Sequence, residues 1–475
     1  MSDANRPRRS TAARRPDRRH FAMLTAFILL VFAVGGGARD DLQSLLLLRP
    51  AAVGFAAWAL LVAAPGDLKS VRTPLALLIA LMALMAVQLI PLPPGLWHAL
   101  PGREGIVRRD ELVGLPDIWR PLSLSPSKTW NSLVSLVVPL AALLLVAVQP
   151  AANRLRVVEV VLIVAVVSAV LGLAQVVGPD TGPLYLYNIT NAGTAVGLFA
   201  NRNHHAAFLA ATFPLLGWYF LFAVRNELML SRLWVACVAG AGGLWALIIV
   251  MTGSRAGLVL FALALVIVFV LFRCAVKRGR FSHNRRNPKP FSSPKARIAI
   301  WVGLVAAVAT TIWLVPQLPA YQRFGADNYA GDVRFAAAPT VFQIALDAFP
   351  AGTGFGTFEH VFKIYEPDAL LKASYFNQAH DDFLQLAVEA GLPGLILLLL
   401  AIVFLLGRLR ALLPWLRRSE PDAWLALTSL ASIALLALAS ATDYPLRVPS
   451  QMVFFALLIA FSIYPSHKQQ SDERR

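Results

Sequence analysis

Charge is scarce in this chain. Only 15% of its 475 residues are Asp, Glu, Lys or Arg, where a soluble globular domain carries about a quarter. Acids are scarcer still, 26 against 43 basic residues, for a formal net charge of +17. There are two cysteines, Cys237 and Cys274, each inside or at the edge of an apolar run. They read as packing residues, and they offer neither a disulfide framework nor a CxxC site. Strict apolar/polar alternation is missing, which disfavours a transmembrane β-barrel. No clear internal repeat occurs, and no stretch has the composition of a soluble domain.

What remains is apolar: 57% hydrophobic residues and a mean hydropathy of +0.63. Apolar segments recur at roughly 21–37, 45–64, 73–94, 128–148, 157–177, 205–224, 233–251, 256–273, 298–316, 384–407, 423–441 and 447–464. Most approach the ~20 residues that a spanning helix needs. The expectation is an all-α polytopic membrane protein with about 12 transmembrane helices. Residues 1–20 read as a disordered, basic cytoplasmic tail, 21–465 as a single transmembrane domain, and 466–475 as a second cytoplasmic tail.

The distribution of positive charge sets the orientation. One alternating set of loops holds Lys69 and Arg72, Arg154 and Arg156, Arg225 and Arg232, the stretch 273–297 with nine basic residues and no acid, and Arg408, Arg410, Arg417 and Arg418. The other set comprises 95–127, 178–204, 252–255, 317–383 and 442–446, and in its two long members acids roughly balance bases. The positive-inside rule places the first set and both termini in the cytoplasm. The excess charge is then topological. Nucleic acid is not expected as a partner, because the basic residues are split among short loops. The long outer loop 317–383 has helical apolar spacing at Val341, Ile344, Ala345 and Phe349, which reads as a short amphipathic helix at the interface.

Polar clusters gather on this outer side. They are Asn201-Arg202-Asn203-His204-His205, Thr252-Gly253-Ser254-Arg255, Asp332-Val333-Arg334 with Gly352-Thr353-Gly354-Phe355-Gly356-Thr357, and His380-Asp381-Asp382 with Glu389. A fifth runs from Asp443 to Arg447. Each has a plain alternative. Arg255 can snorkel to headgroups, and Arg334 can pair with Asp332. Asn201 and Asn203 suit either a helix cap or sugar hydroxyls. His204 and His205 are adjacent, so they do not share a helix face as a metal pair would. GTGFGT has no preceding strand and reads as a tight turn rather than a phosphate loop. Asp381 and Asp382 alone are thin support for a divalent cation.

Arginines at one membrane face suit a phosphate or pyrophosphate, because the planar guanidinium binds such oxygens in a bidentate fork. A histidine at the start of a helix suits a general base, since the positive helix end disfavours imidazolium. Asp381 pulls the other way, or orients the ring. Together these parts suggest transfer from a lipid-pyrophosphate donor to a hydroxyl. His380 takes the proton, Arg255 and Arg334 hold the leaving group, and neither metal nor cofactor is called for.

The same residues carry a family resemblance. Gly-Leu-Phe-Ala-Asn-Arg-Asn-His (197–204), Ser254-Arg255-Ala256-Gly257, Arg334 ahead of Pro350-Ala351-Gly352-Thr353-Gly354, and Ala379-His380-Asp381-Asp382 with Glu389-Ala390-Gly391 resemble the O-antigen ligase and Wzy-type polymerase family over about residues 130–465. The resemblance implies a GT-C type enzyme of the bacterial inner membrane, with its active site on the periplasmic face. It implies an undecaprenyl-pyrophosphate-linked glycan donor and a glycan, lipid A-core or protein acceptor, met among membrane lipids. It puts catalysis on His380 and pyrophosphate binding on Arg255 and Arg334. Substrate or orienting roles remain for Asn201, Arg202, Asn203, His204, Asp381, Asp382 and Arg447. Many members have His-Asn-Asp where this chain has His-Asp-Asp. The runner-up is a lipid-linked glycan flippase or other polytopic transporter. Such proteins keep ionisable groups near mid-membrane, whereas the middles of these segments are nearly free of charge.

Overall fold

The structure is a computed structural model, described for residues 18–225, 232–277, 333–371, 376–417 and 421–463. Helix dominates, because a segment crossing lipid must satisfy its own backbone polar groups. The first half contains α1 (Arg18–Val34), α2 (Leu45–Val62), α3 (Arg72–Val87), α4 (Pro94–His98), α5 (Glu104–Leu112), α6 (Pro126–Ser135), α7 (Val137–Ala147) and α8 (Arg154–Val177). Then come α9 (Arg202–Arg225), α10 (Arg232–Met251), α11 (Arg255–Lys277), α12 (Val333–Asp347), α13 (Phe358–Tyr365), α14 (Asp382–Arg417), α15 (Pro421–Ser440) and α16 (Pro449–Ser462).

Among the described residues, nine helical stretches are long and apolar enough to cross a membrane, and α16 is a shorter apolar helix. The chain is a mostly helical, multi-pass membrane protein. The expected segment 298–316 and most of the basic run 273–297 lie outside the described residues, as does Asp332. The segment expected at 73–94 ends as helix at Val87, short of Pro91, Pro93 and Pro94. The segment expected at 128–148 is two helices that meet at Leu136. Pro139, in the first turn of α7, has no N–H to continue the ladder from α6.

α9 is the hub, packed against α8, α10, α11 and α15, while α7 lies between α2 and α16. One continuous apolar core joins these helices, from Leu24 and Phe27 on α1 to Phe454 and Leu457 on α16. A separate small core forms outside it, where Ala337, Val341 and Ile344 of α12 meet Phe358 and Phe362 of α13 and Val388 of α14. Val341, Ile344 and Ala345 are buried as their spacing predicts, but Phe349 is 47% exposed. The helix stops at Asp347, so Phe349 no longer shares its face. Loop 95–127 is folded too: α4, α5 and an antiparallel pairing of Pro91–Leu92 with Arg120–Pro121. Buried Arg103 anchors it, donating to the carbonyls of Leu122 at 2.8 Å and Gly352 at 3.0 Å.

α14 is two helices that meet at a break. Gly391 has φ 54° and ψ −144° in its middle, followed by Pro393. The first half packs on the small outer core through Val388, and the second carries the long apolar run. The break is locked by the glycine loop 352–356. The N–H groups of Thr353 and Gly354 donate to the carbonyls of Val388 and Glu389, both at 2.9 Å, and Leu392 N–H donates to Pro350 O. Gly354 has φ 104°, and a Cβ there would meet Ser123 at 2.5 Å. GTGFGT is therefore a packing turn, as the missing strand predicts, and the N–H groups of Gly352, Thr353, Gly354 and Phe355 are engaged within the protein.

Candidate functional site

Everything at the site is built around the end of the chain segment that leads into α14. Asp381 Oδ1 accepts hydrogen bonds from the N–H groups of Phe383 at 2.9 Å and Leu384 at 3.0 Å. That is an N-cap, satisfying donors a helix start leaves open. Asp381 is thus engaged with the backbone, and the orienting role falls elsewhere. His380, one residue earlier, has φ 54°, the one non-glycine residue with positive φ among those described. This left-handed turn points the ring away from the helix axis and toward the loop between α15 and α16.

Asp443, on that loop, meets the ring. His380 Nδ1 lies 3.0 Å from Asp443 Oδ1. A carboxylate accepts, so Nδ1 carries a proton, and in the neutral ring the lone pair is then on Nε2. The His380 side chain is 15% exposed and that of Asp443 only 6%. The same carboxylate accepts from Asn203 Nδ2 at 2.8 Å and from its neighbour's N–H, Tyr444 N, at 3.1 Å. His204 Nε2 stands 3.8 Å away. Burial raises the pKa of Asp443, but His204 and His380 more than offset it and hold the carboxyl well below the usual range. Asp443 opens the fifth sequence cluster, the one that ends at Arg447. An acid 63 residues beyond His380 has no spacing that announces it as the histidine's partner.

Tyr444 forms the other wall. Its ring packs against His380 at 4.9 Å between centroids and against His204 at 5.0 Å, both edge to face. Asn377 and Asn201 stand near its hydroxyl, and burial pushes its pKa up to about 12. Arg334 reaches the same loop, donating from Nη1 to Thr442 O at 3.2 Å. So Asn201, Asn203, His204, Arg334, Asn377, His380, Asp443 and Tyr444 converge, from four separate stretches of sequence. Asn201 also caps α9, its Oδ1 accepting from Asn203 N–H at 2.8 Å. Arg202 opens α9, with its N–H on Asn191 Oδ1.

Arg447 is drawn inward instead. Its Nε donates to Asp382 Oδ1 at 3.1 Å and its Nη2 to Glu389 Oε2 at 3.2 Å. Glu389 is fully buried and also accepts from Gln385 Nε2 at 2.8 Å. This network ties the start of α14 to the turn before α16. Asp381 and Asp382 are thereby committed to a cap and an ion pair. The two adjacent histidines also part: His205 Nδ1 is 2.8 Å from Ala195 O in the core, while His204 faces Asp443. Arg255 begins α11 at this same end of the bundle. Gly257 abuts Ala206 of α9, where an added Cβ would stand 2.5 Å from the alanine's, which keeps the Arg255 turn beside the Asn201–His205 turn.

A histidine ordered by a carboxylate, two arginines and several amides at one end of an apolar bundle suit transfer chemistry on a charged, sugar-bearing substrate. Residues 240–399 match the family model described as O-antigen ligase. The match bears out the resemblance read from the motifs, and it supports an O-antigen ligase or polymerase type of membrane enzyme. The matched stretch is about a third of the chain and holds Arg255, Arg334 and His380. The partners Asn201, Asn203, His204 and Asp443 lie outside it and reach the site through folding. No curated protein matches the chain.

Proposed function

We propose that the protein is a membrane glycosyltransferase of the O-antigen ligase or polysaccharide polymerase type. It moves a glycan from an undecaprenyl-pyrophosphate donor to a hydroxyl acceptor on the periplasmic face of the bacterial inner membrane. The observation that carries this reading is the His380–Asp443 pair at 3.0 Å. Asp443 fixes the tautomer that leaves Nε2 as proton acceptor and stabilises the imidazolium that forms. The acceptor hydroxyl gives its proton to Nε2 as its oxygen bonds to the anomeric carbon. The bond from that carbon to the pyrophosphate oxygen breaks, and Arg255 and Arg334 neutralise the charge that leaves. The arginines fill the place a divalent cation would take, so the reading is metal-independent. Asn201, Asn203 and Asn377 offer hydrogen bonds to sugar hydroxyls. Acceptors in reach of this chemistry are a glycan, a lipid A-core or a protein.

His380→Ala tests it. In cells lacking the wild-type gene, this variant inserts at normal levels and yields no transferred glycan on a gel. Normal long-chain glycan in such cells overturns the assignment of the base.

A further inference from the structure

A cavity of about 490 Å³ opens between α2, α3, α6, α14, α15 and α16. That is within the usual range for small-molecule sites, roughly 300–1,000 Å³. Its walls are graded. At the end shared with the site they are polar, with Lys128, Asn131, Asn377 and Gln378. Toward the other end they are apolar, with Leu81 of α3 and Leu398, Ile402 and Leu405 of α14. Both helices carry side chains that point outward to lipid, such as Ile79 at 52% and Leu399 at 58% exposure. The cavity therefore sits beside the membrane and not in the middle of the bundle.

Most of the charged groups around it are paired. Lys128 Nζ is 2.6 Å from Asp40 Oδ2, and Arg39 Nη2 is 2.7 Å from Asp41 Oδ2. Arg447 binds Asp382 and Glu389, and Glu359 binds Lys363 at 2.7 Å. Arg49 also lines the cavity. It lies in the second turn of the apolar helix α2, and its Nε is buried without a hydrogen-bond partner. Among the described residues it forms no hydrogen bond or ion pair, although Asp40 acts on it through space. That Nε has left water without gaining a hydrogen bond, which is costly. An arginine retained there at the head of an apolar slot is complementary to an anion carrying a chain.

We propose that this cavity binds a membrane amphiphile through its phosphate, with Arg49 gripping the phosphate and the hydrocarbon chain lying along Leu81, Leu398, Ile402 and Leu405. The site is separate from Arg255 and Arg334, neither of which lines it. It adjoins the reacting residues through Asn377 and Gln378, which shape its polar end three and two residues before His380. A phosphate lipid seated there holds its headgroup next to the proposed base. The site takes either a phospholipid or a polyprenyl phosphate, which share this chemistry.

The test reads binding and needs no turnover, so its failure and that of the glycosyltransferase reading are distinguishable. The full-length chain in detergent is titrated with undecaprenyl phosphate, with phosphatidylglycerol and with diacylglycerol, and its Tm is followed. At least one phosphate lipid raises the Tm of the wild type and of the exposed control Arg108→Gln. Arg49→Gln binds that lipid about tenfold or more weakly, the loss of a charge-assisted pair. Arg49→Lys falls between, because the charge remains and the fork is lost. Ile402→Trp, which fills the chain slot, weakens binding with Arg49 intact, and it serves should Arg49→Gln fail to fold. A response to undecaprenyl phosphate alone identifies a polyprenyl ligand, and one to phosphatidylglycerol alone a bulk phospholipid. No shift with either, an equal response to diacylglycerol, or unchanged binding by both Arg49→Gln and Ile402→Trp overturns the proposal.

Discussion

His380 and Asp443 are 63 residues apart in the chain and 3.0 Å apart in space. The pairing gives a sharp expectation for Asp443→Asn. The amide no longer enforces a proton on Nδ1, so Nε2 loses its lone pair in part of the population. Transfer should fall on the order of 10²-fold or more, at normal protein level, in a rate assay with purified enzyme and donor lipid. The variant also has a pH signature. Asp443 is held below its ordinary range, so its contribution to stability is complete above the unfolded value of about 3.9 and is lost as pH falls through the lower folded value. The Tm advantage of wild type over Asp443→Asn should persist from neutral pH down to about 4 and shrink only below it. An advantage that disappears between pH 7 and 5 contradicts a depressed Asp443.

Arg255→Lys and Arg334→Lys should each weaken donor use by about tenfold, through the lost planar fork and not through charge. Initial rates against donor concentration measure this. Undiminished turnover in both variants removes the pyrophosphate assignment.

Gly391→Ala should destabilise the protein by about 1–3 kcal/mol, because φ 54° with ψ −144° is open to glycine alone and an added Cβ runs into the Pro350 carbonyl. The variant should lower the Tm in detergent. A glycine-to-alanine change at Gly54, where nothing stands within 4 Å, should not.

A periplasmic site requires that residue 365, after α13, lie outside the cell and residue 285 inside. Alkaline phosphatase fused at about 365 should be active, and fused at about 285 inactive. The reverse pattern places His380 on the cytoplasmic face.

The helical part of this architecture was legible because lipid demands long uninterrupted apolar runs, and those cannot be mistaken. The polar end was legible only in part. His380 and Arg334 stood out as odd residues at apolar boundaries, and both reach the same loop. Asp381 stood beside the histidine in sequence, which made it look like the histidine's partner. A helix start turns that carboxylate toward its own N–H groups, and the ring finds its acid on another helix pair. Asp382 and Arg447 read as substrate or orienting groups, and in the fold they bind one another, with Glu389 sharing the guanidinium. Contacts of this kind join distant segments, and no period in the sequence records them. The break in α14 was likewise hidden, since a glycine-proline step inside an apolar run looks like a tolerated kink until the 352–356 loop is seen wedged against it.

The seam between the last helix and the first loop has a consequence for how the molecule is made. Ser450 N–H at the head of α16 donates to Gly35 O just after α1 at 2.9 Å, and Asp443 arrives with the same turn. A chain leaving the ribosome inserts its early helices long before this turn exists. Until the final pair of helices is threaded in and closes onto the beginning, the histidine stands without its acid. Nascent and prematurely terminated copies are then incompetent by construction, and competence comes as a single late event of assembly.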